Sequence, residues 1–171
     1  MSLKMLKLNI GCGDDYREDF INIDGSSEVK TDKRIDISIE SLLSHFNINT
    51  IDYILANDII EHHFHWEAIT ILNEIYAILK ENGILEMRIP DCEYIINSNL
   101  PIERKLTLLF GGQDIPQGNK IMDKSRQSFP QYFCHKYGWS KERIKKDLLK
   151  IGFKDIIIKN VGTNIIITGK K

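Results

Sequence analysis

Residues 8–15 read Leu-Asn-Ile-Gly-Cys-Gly-Asp-Asp, an apolar run that breaks at Gly11-Cys12-Gly13, and Asp24 closes the next apolar run, Phe20–Asp24. Glycines after a strand let a ligand approach the backbone, and a carboxylate at the end of the neighbouring strand accepts from a diol. In dinucleotide-binding folds that acid lies roughly twenty residues beyond the glycines, with a helix between them. Here it lies eleven residues beyond Gly13. Neighbouring parallel strands normally need a crossover of about a dozen residues or more. Only residues 11–19 are available, so the spacing predicts that the first helix is lost or cut to about a turn.

The stunted loop bears on the ligand. A pyrophosphate is held by a helix N-terminus, where free N–H groups and the helix dipole favour anions. Tyr16 stands at the third glycine position, and Asp14 and Asp15 stand where phosphate would approach. Each like-charge contact costs on the order of 1 kcal/mol even when screened by solvent. NAD and FAD therefore fit poorly. A phosphate-free ligand with positive charge and a ribose fits better, and S-adenosylmethionine (SAM) has a sulfonium, an ammonium and a ribose diol. Asp24 could instead cap a turn before Gly25, and Asp36 could cap the following helix with Ser38. Cys12 reads as packing between two glycines, since nothing beside it in sequence would activate a thiol.

Two histidine-bearing segments could do further chemistry. Glu61-His62-His63-Phe64-His65-Trp66-Glu67 groups three imidazoles, but its spacing matches no common zinc signature and no Cys/His/Asp cluster elsewhere complements it. The expectation is no metal, with His62 near the reacting centre or capping the next helix. His135 and Tyr137, in His-Lys-Tyr-Gly-Trp-Ser, are the residues best suited to touch an acceptor, because a neutral imidazole can take a hydroxyl proton. The alternative is that His135 and Trp139 anchor the last helix to the sheet.

These residues need elements to position them. Residues 5–10, 20–25, 33–37, 51–57 and 84–90 read as strands. Ser38 is placed to cap a short helix with Leu42, Leu43 and Phe46 inward. Ile69, Leu72, Tyr76 and Leu79 recur at helical spacing, with Asn82-Gly83 as the C-cap. Ser140 begins a last helix with Ile144, Leu148 and Ile151 inward, and two strands around Val161-Gly162-Thr163 form a hairpin. Strands alternating with helices predict a parallel sheet with helices on its faces. Between about 98 and 138 the pattern loosens into an excursion. Pro101 interrupts a helical stretch, and residues 111–134 read as a long loop with Gly111-Gly112 and Gly118 as hinges. That loop is expected to be a lid over the acceptor side, with His135 and Tyr137 at its returning edge.

The chain of 171 residues is expected to be a single domain with a full core. Three scattered cysteines and no apolar run of membrane-spanning length or leader pattern predict a reduced, cytoplasmic protein. Residues 1–100 hold 8 Lys+Arg against 18 Asp+Glu, whereas residues 101–171 hold 15 against 6. The split suggests a cation for the first half and an anion for the second, or solvated surfaces folded against each other. Nucleic acid is an unlikely partner. Lys141, Lys145, Lys146 and Lys150 look like an ordinary helix face, and no aromatics interleave with them.

Taken in order, Leu-Asn-Ile-Gly-Cys-Gly, Ile-Asn-Ile-Asp-Gly-Ser, Arg-Ile-Asp-Ile-Ser, Asp-Tyr-Ile-Leu-Ala-Asn-Asp-Ile-Ile-Glu-His and Leu-Lys-Glu-Asn-Gly-Ile-Leu-Glu-Met-Arg-Ile-Pro-Asp resemble the class I SAM-dependent methyltransferase family. The likeness covers roughly residues 5–98 and 135–169. It is especially similar to small methyltransferases that lack the first helix and carry segments like the Leu-Phe-Gly-Gly-Gln and His-Lys-Tyr-Gly-Trp-Ser found here. The resemblance implies a Rossmann-like three-layer α/β sandwich, with a seven-stranded, mostly parallel sheet in the order 3-2-1-4-5-7-6 and an antiparallel last strand. It implies that Asn9, Gly11, Cys12 and Gly13 line the SAM loop, that Asp24 takes the ribose, that Asp36 and Ile37 sit by the adenine, and that Asn57 meets the methionine part. It implies methyl transfer to a small-molecule or glycan-like acceptor, with S-adenosylhomocysteine as product and a link to cell-surface polysaccharide biosynthesis. Two other readings stay open: a non-catalytic SAM-fold binding protein, and a Rossmann-type NAD(P) oxidoreductase.

Overall fold

The computed structural model describes residues 5–113, 118 and 120–171. Among them, the strands are β1 (Lys7–Ile10), β2 (Ile21–Asp24), β3 (Lys33–Arg34), β4 (Ile51–Asn57), β5 (Leu79–Pro90), β6 (Lys154–Val161) and β7 (Asn164–Lys170). The α-helices are α1 (His65–Ile78), α2 (Cys92–Asn97), α3 (Ile102–Phe110), α4 (Lys120–Ser128) and α5 (Lys141–Ile151). The described strands form one sheet in the order β3-β2-β1-β4-β5-β7-β6, the order expected. β1 pairs in parallel with β2 and β4, whereas β7 runs antiparallel to both β5 and β6. Central strands buried on both faces read as nearly continuous apolar runs, and Leu8, Ile10, Ile54, Leu55, Ala56, Met87 and Ile89 are buried here.

The link between β1 and β2 contains turns and no helix, as its length requires. A polar knot holds it in place. Asn22 is fully buried, and its side-chain N–H groups donate to the carbonyls of Arg17 and Phe20 and to Asp32. Its Oδ1 accepts from Arg17 N–H and from Asn9, whose amide also reaches the Asp15 carbonyl at 2.7 Å. Asp32 further accepts the Asn22 N–H at 2.7 Å and the Tyr16 hydroxyl at 2.8 Å. Side chains thereby satisfy backbone groups that a helix would have satisfied internally.

Several local expectations are corrected. The short helix after β3 is a single 3₁₀ turn, Leu42–Ser44, capped by Ser41 and not by Ser38; Leu42 is buried, Phe46 partly so, and Leu43 is exposed. The third strand shrinks to Lys33–Arg34. In α1 the inner stripe is Ala68, Ile71, Leu72, Ile75 and Ile78, so Ile69 and Tyr76 sit at its margins. That helix ends at Ile78 and passes directly into β5, so Asn82 is not its C-cap. Asn82, at φ 62°, instead lies in the register irregularity where Ile51 pairs with Leu79 but Tyr53 pairs with Ile84. Residues 120–128, expected to be loop, form α4. This helix buries the polar residues Asp123 and Ser125 and leads into an aromatic pair, Phe129 and Tyr132, so its buried positions do not read as apolar in sequence. Residues 114–117 and 119 of the expected lid lie outside the described residues.

The last helix and hairpin follow expectation. Ser140 accepts the Arg143 N–H as N-cap, and Ile144 and Leu148 are buried with Trp139 and Phe153. No described helix is long and apolar enough to cross a membrane.

Candidate functional site

A cavity of about 540 Å³ opens at the carboxyl ends of β1, β2 and β4, where open α/β sheets place their ligands. Each predicted cofactor residue lines it: Asn9, Gly11, Cys12, Gly13, Asp24, Asp36, Ile37 and Asn57. They do not all act through their side chains. The Asn9 amide is committed to the knot beneath the loop. The Cys12 thiol is buried, and burial first, then the Asp24 charge, pushes its pKa up to about 12. That fits a packing residue and leaves no nucleophile.

Gly13 and Asp24 form the centre of the loop. Gly13 sits at φ +49°, and its N–H donates to Asp24 Oδ2 at 2.9 Å. A side chain at Gly13 would meet nothing within 4 Å, so this backbone faces open space. Asp24 Oδ1 accepts the Ser26 N–H at 2.8 Å. The carboxylate thus caps its own turn and lines the cavity at once, with lone pairs left over on both oxygens.

Asp36 is the second carboxylate of the wall. Its Oδ1 accepts from the N–H and hydroxyl of Ser38, and its Oδ2 accepts the Tyr132 hydroxyl at 2.6 Å. Burial works to raise its pKa, but the hydrogen bonds from Ser38 and Tyr132 prevail and hold it below the ordinary carboxylate range. Burial and the same bond push the Tyr132 hydroxyl up to about 12. Tyr132 follows α4, and Ser125, Arg126, Phe129 and Phe133 line the cavity with it. The excursion therefore reaches the Asp24–Asp36 side of the cavity as well as the side above β4 and β5.

At that other side, Asn57 is followed by Asp58, which adopts φ 53° and forms a bidentate ion pair with Arg88 of β5. Both line the cavity, and neither was singled out from sequence, where Arg88 is only one of several charged residues of β5. Next comes a 3₁₀ turn, Ile60–His62. Glu61 is buried, and neither carboxylate oxygen has a hydrogen-bond partner. Burial, with the Asp58 charge adding to it, pushes its carboxyl well above the ordinary range.

The three histidines of this segment go three ways. His62 lines the cavity and its Nδ1 lies 3.2 Å from the Cys134 carbonyl, so Nδ1 carries the proton. Burial, then the neighbouring His135, lowers its pKa to about 4. His63 is buried against the cavity wall, and burial lowers its pKa too. His65 faces away, between Asp147 at 2.9 Å and Arg143 at 2.8 Å.

His135 packs edge-on against His62, with ring centroids 4.9 Å apart, and burial lowers its pKa. It is not among the residues lining the cavity. Backbone pairing puts it there: the His135 N–H donates to the Phe110 carbonyl, and the Lys136 and Tyr137 N–H groups donate to the Glu61 carbonyl. Gly111 is part of this join and not a free hinge, because a Cβ there would lie 2.0 Å from the Phe133 carbonyl oxygen. Tyr137 does not reach the cavity; its ring packs on His65 and Trp139.

No protein-family model matches the chain, and no curated protein sequence matches it either. Solved structures do. A SAM-dependent methyltransferase from Archaeoglobus fulgidus aligns over 98% of this chain and 86% of its own, with TM-score 0.65 and 14% identity. One from Methanosarcina mazei aligns over 99% and 93%, with TM-score 0.65 and 16% identity. A Haemonchus contortus phosphoethanolamine N-methyltransferase 2, solved in complex with SAM, aligns over 94% of this chain and 36% of its own, with TM-score 0.55 and 19% identity. The sheet order, the antiparallel β7 and the cavity at the strand ends agree with these likenesses: the chain has the class I SAM-dependent methyltransferase fold.

Proposed function

We propose that the protein is an enzyme that binds SAM in this cavity and transfers its methyl group to a small-molecule or glycan-like acceptor. The observation that carries the reading is the placement of two carboxylates, Asp24 and Asp36, on one wall beside the open backbone of Gly13. The residues present fit such a ligand. Asp24 keeps acceptor capacity for a ribose diol, and Asp36 lies where the resemblance places the adenine. Asp14 lines the loop end and disfavours a pyrophosphate there, whereas Asp15 is paired with Arg17. SAM supplies an electrophilic methyl group on a sulfonium, which passes to an acceptor atom by in-line displacement as the C–S bond breaks and S-adenosylhomocysteine leaves.

The chain's part is to bind, orient and exclude water. Asn57 and His62 stand at the acceptor end. His135 supports the His62 ring edge-on from outside the cavity, and Tyr137 packs on His65 and Trp139, away from the reacting centre. The segment α4–Phe133 acts as the lid, and Tyr132 releases Asp36 when the cofactor's base arrives. The polysaccharide link rests on resemblance alone, and an acceptor screen of sugars and sugar conjugates addresses it.

Titration calorimetry tests the cofactor reading. S-Adenosylhomocysteine is expected to bind and NAD to bind much more weakly; NAD preferred over S-adenosylhomocysteine would overturn it. Single-turnover transfer of labelled methyl to any acceptor then separates an enzyme from a protein that only binds the cofactor.

A further inference from the structure

We infer that Glu61, His62 and His135 form a binding site for a divalent transition-metal ion of the zinc type, at the edge of the cavity. One ligand atom from each lies within 4.8 Å of the others. The sequence cluster His62, His63 and His65 is not this site; the fold replaces two of its members with Glu61 and the distant His135.

Three observations point to a ligand. Glu61 is 1% exposed, and both of its oxygens lack a partner. A carboxyl group in such a place is costly unless something pairs with it. Secondly, His62 has an outer carbonyl to orient it. His62 Nδ1 donates to the Cys134 carbonyl, which leaves Nε2 as the ring's lone-pair nitrogen. Metal-binding histidines characteristically donate their other N–H to a carbonyl or carboxylate in this way. Thirdly, the rings meet edge-on at 4.9 Å between centroids. With Zn–N bonds of about 2.0–2.1 Å, two imidazoles on one tetrahedral ion have centroids roughly 5 Å apart. Ligand atoms around such an ion lie roughly 3.3–3.5 Å from one another, so binding draws this trio inward by about 1 Å or somewhat more.

The backbone makes that closure short. Lys136 N–H, at 2.8 Å from the Glu61 carbonyl, ties the segment bearing His135 to the turn bearing Glu61 and His62. Two imidazoles and one carboxylate are also the ligand set of zinc sites that keep a position open. His62 lines the cavity, so the open position faces it. An acceptor hydroxyl or water there would be polarised, with its proton passing to solvent. That role rests on the methyl-transfer reading, whereas the site itself does not.

The test uses the full chain, stripped with a chelator and titrated with Zn²⁺, and with Co²⁺ read by visible absorption. We expect about one ion per chain and the intense bands of four-coordinate Co²⁺. Glu61→Gln and His135→Gln should each weaken binding at least about tenfold, and His65→Ala should leave it unchanged. Absence of stoichiometric metal in the unmutated protein overturns the proposal whether or not any variant folds. So does tight binding that survives both Glu61→Gln and His135→Gln, or that disappears in His65→Ala. S-Adenosylhomocysteine calorimetry on the same samples separates the two ideas. Metal without cofactor binding refutes the methyl-transfer reading and spares the site, and cofactor without metal does the reverse.

Discussion

Asp24 carries two tasks with one carboxylate. It holds the Gly13 and Ser26 N–H groups, and it faces the cavity where a ribose diol would sit. Asparagine keeps the shape and one acceptor but loses the charge. Asp24→Asn is expected to weaken S-adenosylhomocysteine by about 1–3 kcal/mol, the usual size of a hydrogen bond to a charged group. Calorimetry checks it, and an unchanged affinity in a folded variant would remove Asp24 from the binding site. Cys12, next to Gly13 in the chain, shows the opposite case. It lines the wall, yet its thiol is buried and its lone side-chain bond runs to the Lys30 carbonyl at 3.5 Å.

Among the elements, the β1–β2 link is the most unusual, because a polar knot stands in for a helix. Asn22 is its hub, and leaving its buried partners unpaired should cost about 2–3 kcal/mol in Asn22→Ala. Asp32 adds a pH dependence. The Asn22 N–H first, then the Asn22 side chain and the Tyr16 hydroxyl, hold its folded pKa below the unfolded value. A depressed carboxylate contributes stability above about pH 4 and loses it as pH falls through the folded pKa. Asp32→Asn should therefore melt below the unmutated protein at pH 7, and the gap should narrow under acid. A gap independent of pH in thermal melts would show that the charge contributes nothing. The missing helix was legible in sequence because chain length between two apolar runs is a hard geometric limit. The strands and α5 were legible because apolar side chains mark a buried face. α4 was not, since its buried residues include Asp123 and Ser125. Asn82 misled for a related reason: a left-handed asparagine serves a strand irregularity as well as a helix cap. The carboxylates at strand ends were readable one at a time, but the meeting of Glu61 with His135 depends on backbone pairing between distant segments, which leaves no local pattern.

For the molecule as a whole, the excursion is the part proposed to close the site, and several of its residues from Ser125 to Phe133 line the cavity. The Tyr132–Asp36 bond joins the segment after α4 to the segment after β3, and Lys124 approaches Glu28 at 3.9 Å beside it. As a proposed lid, this segment is expected to open more readily than the sheet. Hydrogen exchange should show residues 120–133 opening without ligand and becoming protected with S-adenosylhomocysteine. Full protection in the free protein would refute a lid. The acidic first half and basic second half meet in only a few of the described ion pairs, Asp91 with Lys141 among them. The charge split is thus largely a property of two surfaces and not of their contact.

The two tryptophans occupy opposite environments. Trp139 is wholly buried with its indole N–H unpartnered, while Trp66 is 66% exposed and stacked on Phe64. Their light emission must differ accordingly. Trp139 fluoresces at short wavelength and is shielded from aqueous quenchers, and Trp66 fluoresces at longer wavelength and is open to them. The protein therefore carries a pair of built-in optical reporters, one for the integrity of its interior and one for the surface beside His65, readable without any attached dye.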